Sequence, residues 1–396
     1  MDDPFTARRI AAQAELFREG EAGNCAYIIE SGRVEISLLR DGHKVVIAEL
    51  GPGDLVGEMA LISDRARSAT ATALVETRVA TIQRDQLDLA MHDADPVIKL
   101  FLHVLLERFH EASEKLHGGR RRKRRPEPSE SYLEDLDRAV ENLRLRDELQ
   151  RALQQREFVL HFQPIIELVS GHIAGFESLI RWQHPERGLV GPLEFIGFAE
   201  KHGLIGGIGD WVMDEACAAA QRLAAALGGD AAPFVTLNVS ALQLGAEGFI
   251  DRAAQSLERA GVDPGRIKFE VTESLLLADP ERAAEQLAEI KMLGVRLALD
   301  DFGTGYSSLS YLHRYPFDTL KIDRSFVTTM LRSSDSMEIV RCILGMSRGL
   351  MLDVVAEGIE NGDELSLLAD LGCTYGQGYH FARPQPEAAA FALLRR

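Results

Sequence analysis

The chain has 396 residues, more than one average domain requires, so two domains are expected. With 46% hydrophobic and 27% charged residues it has the make-up of a globular protein. No run reaches the about 20 apolar residues of a membrane span, and a formal net charge of -17 argues against a generic nucleic-acid-binding surface. Cys25, Cys217, Cys342 and Cys373 have no paired spacing and read as small buried hydrophobes in a reducing compartment, forming neither a disulfide nor a zinc framework. The opening Met1-Asp2-Asp3-Pro4 is acidic and lacks the apolar core of a signal peptide, so a cytoplasmic location is expected.

In chain order, residues 14–90 read as β-rich. The runs Ala26-Tyr27-Ile28-Ile29, Arg33-Val34-Glu35-Ile36-Ser37-Leu38 and Lys44-Val45-Val46-Ile47-Ala48 are broken by turns at Gly20, Gly32, Gly42 and Gly51-Pro52-Gly53. Short strands at that spacing predict a sandwich or barrel. Gly57-Glu58-Met59-Ala60 then opens a short helix, and Arg67-Ser68-Ala69 follows after a loop. Backbone N–H groups at such a turn suit a phosphate, arginine neutralises it, and glutamate accepts from a ribose hydroxyl. The apolar residues Val97, Ile98, Phe101, Leu102, Leu105 and Leu106 have helical spacing, and a face that broad must pack against something. Together with Phe17-Arg18-Glu19-Gly20, this segment resembles cyclic-nucleotide-binding domains, which implies a β-sandwich or jelly roll over residues 1–117. The resemblance implies that Glu58 meets the ribose and Arg67 the cyclic phosphate, within a pocket of Gly57, Met59, Ala60, Ser68 and Ala69. Serine at 68 leans towards cyclic AMP over cyclic GMP. The leading helices of that family are short or missing before Ala14.

Gly118-Gly119, six basic residues at 120–125 and Pro126-Glu127-Pro128-Ser129 mark an exposed linker, assigned with its connecting helix to 118–142. The basic run reads as a solvated hinge in preference to a site for nucleic acid or anionic lipid. Leu133, Leu136, Val140 and Leu143 follow three-four-three spacing; a short dimer seam and a helix capping the next domain both fit.

From Phe158 onward, apolar strands alternate with helical segments such as 280–293 and 336–350, the rhythm of a (β/α)8 barrel over 143–396. Acidic residues fall in or just after those strands, where the active site of such a barrel gathers. Glu177, Glu270, Asp300, Asp301, Asp323 and Glu357, with Asn238, are hard oxygen donors from separate strands. They suit Mg2+ or Mn2+ and would not select zinc or copper. The adjacent acids Asp300 and Asp301 repel each other unless positive charge lies beside them. Two cations there activate water and stabilise the leaving oxygen of a phosphodiester, and Lys321 offers a further positive group.

These residues carry a resemblance to the EAL family of cyclic-di-GMP phosphodiesterases. Its motifs here are Phe162-Gln163-Pro164-Ile165, Glu177-Ser178-Leu179-Ile180-Arg181-Trp182, Asn238-Val239-Ser240, Glu270-Val271-Thr272-Glu273, Asp300-Asp301-Phe302-Gly303-Thr304-Gly305, Leu320-Lys321-Ile322-Asp323, Ala356-Glu357-Gly358 and Gln377-Gly378-Tyr379. The resemblance implies hydrolysis of cyclic di-GMP to linear pGpG with two Mg2+ or Mn2+ ions. It assigns the metals to Glu177, Asn238, Glu270, Asp300, Asp301 and Glu357. Lys321 would position the water, with Asp323 and Gln377 around it, and Gln163, Arg181 and Gln377 would hold substrate. Glu273 would tether the loop 302–308. Ser178 stands where the family signature has alanine, and Arg348 where the family often has histidine.

The expected protein is a homodimeric cyclic-di-GMP phosphodiesterase tuned by a cyclic mononucleotide, cyclic AMP being favoured over cyclic GMP. Alternatives are a non-catalytic receptor for cyclic di-GMP, or a phosphodiesterase whose N-terminal domain binds no ligand and serves dimerisation. Gly228-Gly229-Asp230 begins like a diguanylate cyclase signature but lacks the following acid, and reads as a turn. No helix-turn-helix follows the first domain, which disfavours a transcription regulator.

Overall fold

The structure is a computed structural model that describes residues 6–40, 42–63, 66–84, 86, 95, 97–99, 101, 104–105, 108, 130–227, 232–273, 279–303 and 314–395. The chain divides into two compact units, Met1–Leu145 and Arg146–Arg396.

Among the described residues eight strands build the first unit: β1 (Thr6–Ile10), β2 (Glu15–Phe17), β3 (Cys25–Ser31), β4 (Val34–Arg40), β5 (His43–Leu50), β6 (Leu55–Val56), β7 (Thr70–Ala73) and β8 (Thr77–Gln83). They form two four-stranded antiparallel sheets, ordered β1-β8-β3-β6 and β2-β7-β4-β5. Alternation puts one face of each strand inward. Phe17, Tyr27, Ile29, Val34 and Val79 meet there in a single apolar core, each large side chain contributing about 1.5–3 kcal/mol by burial. Helix α1 (Glu58–Ser63) lies between β6 and β7. Of the apolar segment 97–116, Ile98, Phe101 and Leu105 are described and exposed. The basic run 120–125 lies outside the described residues.

Helix α2 (Glu130–Gln155) precedes the barrel. Its buried positions are Ala139, Leu149 and Ala152, whereas Val140 and Leu143, two of the four residues at three-four-three spacing, are exposed. The side chain of Leu133 lies outside the described residues.

The barrel strands are β9 (Phe158–Glu167), β10 (Ile173–His184), β12 (Phe234–Asn238), β13 (Ile267–Thr272), β14 (Arg296–Phe302), β15 (Thr319–Ile322), β16 (Asp353–Ala356) and β17 (Tyr375–Gly376). They pair in that order and β9 closes on β10; β11 (Gly188–Val190) and β18 (Gln385–Pro386) are appended. Helices α3 (Ile205–Leu227), α4 (Phe249–Ala260), α5 (Pro280–Met292), α6 (Ser334–Gly349) and α7 (Gly362–Asp370) supply crossovers. Three of these helices begin on polar caps: Asp279 accepts from the Arg282 N–H, Ser333 from Ser336, and Asn361 from Asp363 and Glu364.

The ring departs from an all-parallel barrel at its first strand. β9 runs antiparallel to both β10 and β17. The connection explains it: from Glu167 to Ile173 there is room for a tight turn, not for the crossover helix that a parallel neighbour requires. The barrel floor holds Lys268, whose Nζ donates to Thr319 Oγ1 at 2.8 Å and lies 4.2 Å from the Phe234 ring centre. Burial pushes its pKa down to about 8. All four cysteines are free; burial pushes the Cys217 and Cys373 thiols up to about 12, while Cys342, expected to be buried, is exposed. Among the described residues no helix is long and apolar enough to cross a membrane.

Candidate active site

The acids predicted from strand ends meet at one mouth of the barrel. Parallel registry sets their heights: Asn238 on β12 lies beside Glu270 on β13, and Thr272 beside Asp300 on β14. Glu177 on β10 is opposite Gln163 on β9. Lys321, on β15 and 1% exposed, rises into the middle of them. Its Nζ lies 2.6 Å from Glu270 Oε2, 2.6 Å from Glu357 Oε1, 3.2 Å from Asp300 Oδ1 and 3.9 Å from Glu177 Oε1.

A regular strand would send Asp300 and Asp301 to opposite faces. Here the β14–β15 register shifts between Leu299 and Phe302, and Asp301 takes φ +55°. This bulge re-aims a side chain at the cost of local strain. In consequence Asp300, Asp301 and Glu357 each bring one carboxylate oxygen within 4.8 Å of the others. The Asp301 N–H donates to Asp300 Oδ1 at 2.9 Å, which fixes the corner.

One ammonium does not satisfy this much negative charge. Burial raises the pKa of Glu270 to about 7; Lys321 pulls it down, but Glu177 and Asp300 push it back up. Burial, followed by repulsion from Asp300 and Glu177, likewise raises Glu357 to about 8 against the pull of Lys321. Asp301 is raised by burial and then by Asp300 and Asp323. Burial would lower Lys321, yet the four carboxylates outweigh it and hold its pKa well above the ordinary value. An ion pair at 2.6 Å beside an acid of raised pKa means that the site as a whole is short of positive charge.

Amides fix the rim. Glu177 Oε1 accepts from Asn238 Nδ2 at 3.1 Å and its Oε2 from Gln377 Nε2 at 2.5 Å. Gln377 also donates to Gln163 Oε1 at 3.0 Å, and Gln163 donates to the Ala382 carbonyl at 3.1 Å. The backbone seats Gln377 tightly: a Cβ on Gly378 would stand 2.0 Å from the Ile359 carbonyl oxygen, so glycine alone fits. Gln377 Oε1 is buried without a donor. An orphaned acceptor beside over-charged carboxylates fits a hydrated divalent cation, and the all-oxygen donor set fits Mg2+ or Mn2+. Ser178 donates to the Thr236 carbonyl at 2.6 Å, so its hydroxyl is satisfied away from Glu177.

Gln163, Glu177, Asn238, Asp300, Glu357 and Gln377 line a cavity of about 360 Å³ that also takes in Arg181, Arg324, Tyr379 and Glu360. Arg181 is half-buried, its Nη1 donating to the Ile180 carbonyl at 2.8 Å, and burial lowers its pKa. Asp323 is placed differently from the other acids: its Oδ1 caps the short helix Arg324–Val327 by accepting from the Ser325 N–H at 2.9 Å. Glu273 immediately follows β13. Of the loop 302–308, positions 304–308 lie outside the described residues, as do 228–231 of the Gly228-Gly229-Asp230 turn. Arg324 and Tyr379 were not picked out from sequence as site residues, since a single arginine or tyrosine after a strand has no spacing signal.

In the first unit, Arg67 is turned inward. It is 4% exposed and its guanidinium lies 4.1 Å from the Phe17 ring centre. It donates to the Gly57 carbonyl at 2.8 Å and the Cys25 carbonyl at 2.6 Å, while its Nε is buried without a partner. Glu58 begins α1, Met59 and Ala60 follow, and Ala60 and Ala69 are buried. Ser68 is exposed and donates towards Met59 Sδ at 3.9 Å. Arg84, not foreseen from sequence, donates to the carbonyls of Gly23 and Ala60 at 3.2 and 3.1 Å and ties the end of β8 to α1.

Comparison with known proteins adds the following. The EAL domain model matches residues 146–384, and the cyclic nucleotide-binding domain model matches residues 7–93. The cyclic di-GMP phosphodiesterase NbdA of Pseudomonas aeruginosa is 42% identical over 260 residues, 66% of this chain and 33% of NbdA. The bifunctional diguanylate cyclase/cyclic di-GMP phosphodiesterase MucR of the same organism is 42% identical over 256 residues, 65% of this chain and 37% of MucR. The chain thus spans about a third of the length of these relatives. Among solved structures, the EAL enzyme Bd1971 in its cAMP and cyclic-di-GMP bound form is similar at TM-score 0.83 and 33% identity, covering 98% of this chain and 100% of that one. A MucR phosphodiesterase bound to cyclic di-GMP aligns with 62% of this chain and 99% of its own, at TM-score 0.59 and 41% identity.

Proposed function

The chain belongs to the EAL domain family, and from that premise we propose that it hydrolyses cyclic di-GMP. Water adds across one P–O bond, leaving a 5′-phosphate and a 3′-hydroxyl on linear pGpG. The observation that carries the reading is the convergence of four carboxylates on Lys321 inside the barrel mouth. The names of NbdA and MucR support the same reaction. In this reading residues 143–396 form the phosphodiesterase, 118–142 the linker and 1–117 the sensor.

Glu177, Asn238, Glu270, Asp300, Asp301 and Glu357 would hold two Mg2+ or Mn2+ ions; Asn238 presents its carbonyl oxygen when its amide is turned. Bound there, the ions supply Lewis-acid charge to the phosphodiester and the attacking water. Lys321 aims an N–H at that water and offsets charge developing on the phosphoryl group. Gln377 and Asp323 complete the water's surroundings. Gln163 and Gln377 hold Glu177 in register with the substrate, Arg181 binds phosphate through its planar fork, and Glu273 tethers the loop 302–308. Incubation of the purified chain with cyclic di-GMP and Mn2+ tests the reading: pGpG must accumulate, whereas binding without product would make the protein a receptor.

The first unit is the reading's second half, a cyclic-mononucleotide sensor acting on a homodimer. It is supported by the match over residues 7–93 and by the solved Bd1971 forms named for bound cAMP and cGMP. Gly57, Glu58, Met59, Ala60, Arg67, Ser68 and Ala69 form its pocket, and Ser68 favours cyclic AMP. The chain titrated with each nucleotide should change its turnover; no binding and no change would leave a dimerisation module.

A further inference from the structure

Arg324 has no assigned task, yet it lines the catalytic cavity. It is exposed, and among the described residues no carboxylate lies within ion-pairing distance of its guanidinium. Its place is built in two ways. Asp323 caps the short helix that Arg324 opens, which fixes the backbone under it. Opposite, Gly358 leaves the space its stem occupies: a Cβ there would stand 2.6 Å from Arg324 Cβ, and Gly358 has φ +75°. The segment after β16 is therefore bare where Arg324 passes over it.

Position in the ring gives the cation a purpose. Arg181 rises from β10 and Arg324 follows β15, strands four places apart among the eight. The cavity has a guanidinium on opposite walls with the acid cluster between them. A cyclic dinucleotide has two phosphodiesters on opposite sides of its ring and enters a mouth lined by Glu177, Asp300, Glu357 and Glu360. Each phosphate needs a positive partner against that wall. A guanidinium free of carboxylates, with its donors uncommitted, matches phosphate oxygens in pairs.

We infer that Arg324 is a second substrate-anchoring guanidinium, donating to a phosphate oxygen of the cyclic dinucleotide across the cavity from Arg181. The inference rests on cyclic di-GMP being the ligand of this site. It is tested on the full chain with R324M and R324K, reading KM and kcat with Mn2+, the Kd for cyclic di-GMP with Ca2+, and Mn2+ affinity by calorimetry. Ca2+ is used for binding because its loose coordination is ill suited to activating water. R324M should raise KM and Kd together by about tenfold to a hundredfold, with kcat within about threefold and Mn2+ affinity unchanged. R324K should recover part of the loss, because the charge remains and the fork is lost. Unchanged Kd in R324M, a fall in kcat alone, or an equal loss of Mn2+ affinity would each overturn the assignment. Absence of pGpG from the wild type would remove the hydrolytic reading while the Kd comparison still decides Arg324, and a wild type that does not bind cyclic di-GMP defeats both.

Discussion

Each unit buries a basic side chain at its candidate site, Lys321 in the barrel and Arg67 in the first unit, and the two are compensated in opposite ways. Lys321 is surrounded by four carboxylates and cannot neutralise them all. Arg67 meets two backbone carbonyls and an aromatic face, and among the described residues no carboxylate pairs with it. Carbonyl dipoles solvate a charge without cancelling it. The barrel site is therefore left with surplus negative charge that cations would offset, whereas the charge of Arg67 is solvated by its partners and not neutralised. In the proposed reading, the same ingredient, a buried basic side chain, serves ligands of opposite sign through what surrounds it.

The largest test of that contrast is Glu177→Ala. It removes an acid that Asn238, Gln377 and Lys321 all approach, and turnover of cyclic di-GMP should fall by about a thousandfold or more; turnover near the wild-type rate would mean the acid cluster is not the reaction centre. Next is Arg67→Met, which keeps the apolar stem and removes the charge. Cyclic mononucleotide affinity should fall by about a hundredfold, or about 2.7 kcal/mol, read by calorimetry. Unaltered affinity would mean that the buried guanidinium serves packing alone.

A smaller effect follows from protonation. Glu270 and Glu357 have folded pKa values of about 7 and about 8, above their ordinary 4.5. The folded state therefore holds more protons than the unfolded state across that window, so stability must fall as pH rises through it. In chelator the melting temperature of the barrel should drop by roughly 5 °C between pH 5 and 8, and Mn2+ should flatten the slope by neutralising the ionised acids. A melting temperature that rises over this range would contradict the surplus of negative charge. The least change is expected for Ser178→Ala. Its hydroxyl bonds the Thr236 carbonyl, not Glu177, so turnover should stay within about twofold and stability within about 1.5 kcal/mol.

Much of the candidate site was legible because each acid sits in a short apolar run, an arrangement that composition alone makes costly. Glu177, Glu270, Asp300 and Glu357 could be chosen one by one from that mismatch. Other features left no such trace. Tyr375–Gly376 is a strand of two residues, too short for alternation, and is a strand through its pairing with β16 and β9. The reversal of β9 is recorded in the length of its connection to β10, not in its side chains. The bulge at Asp301 depends on registry with β15, a long-range fact. Arg67 stood out by resemblance, but its inward turn did not, since carbonyl partners at Gly57 and Cys25 are invisible to residue type.

The reversed first strand also decides where the barrel is wired to whatever precedes it. In an all-parallel ring the incoming chain joins at the floor, a full strand length from the chemistry. Because β9 runs downward, its first residue Phe158 is paired with Trp182, beyond Glu177 towards the mouth. Trp182 Nε1 donates to Glu157 Oε2 at 2.9 Å, and Glu148 near the end of α2 lies 3.7 Å from His184. The inlet and the acid-lined mouth are the same end, so a twist or pull delivered through α2 has a short lever arm to Arg181 and none of the barrel to cross.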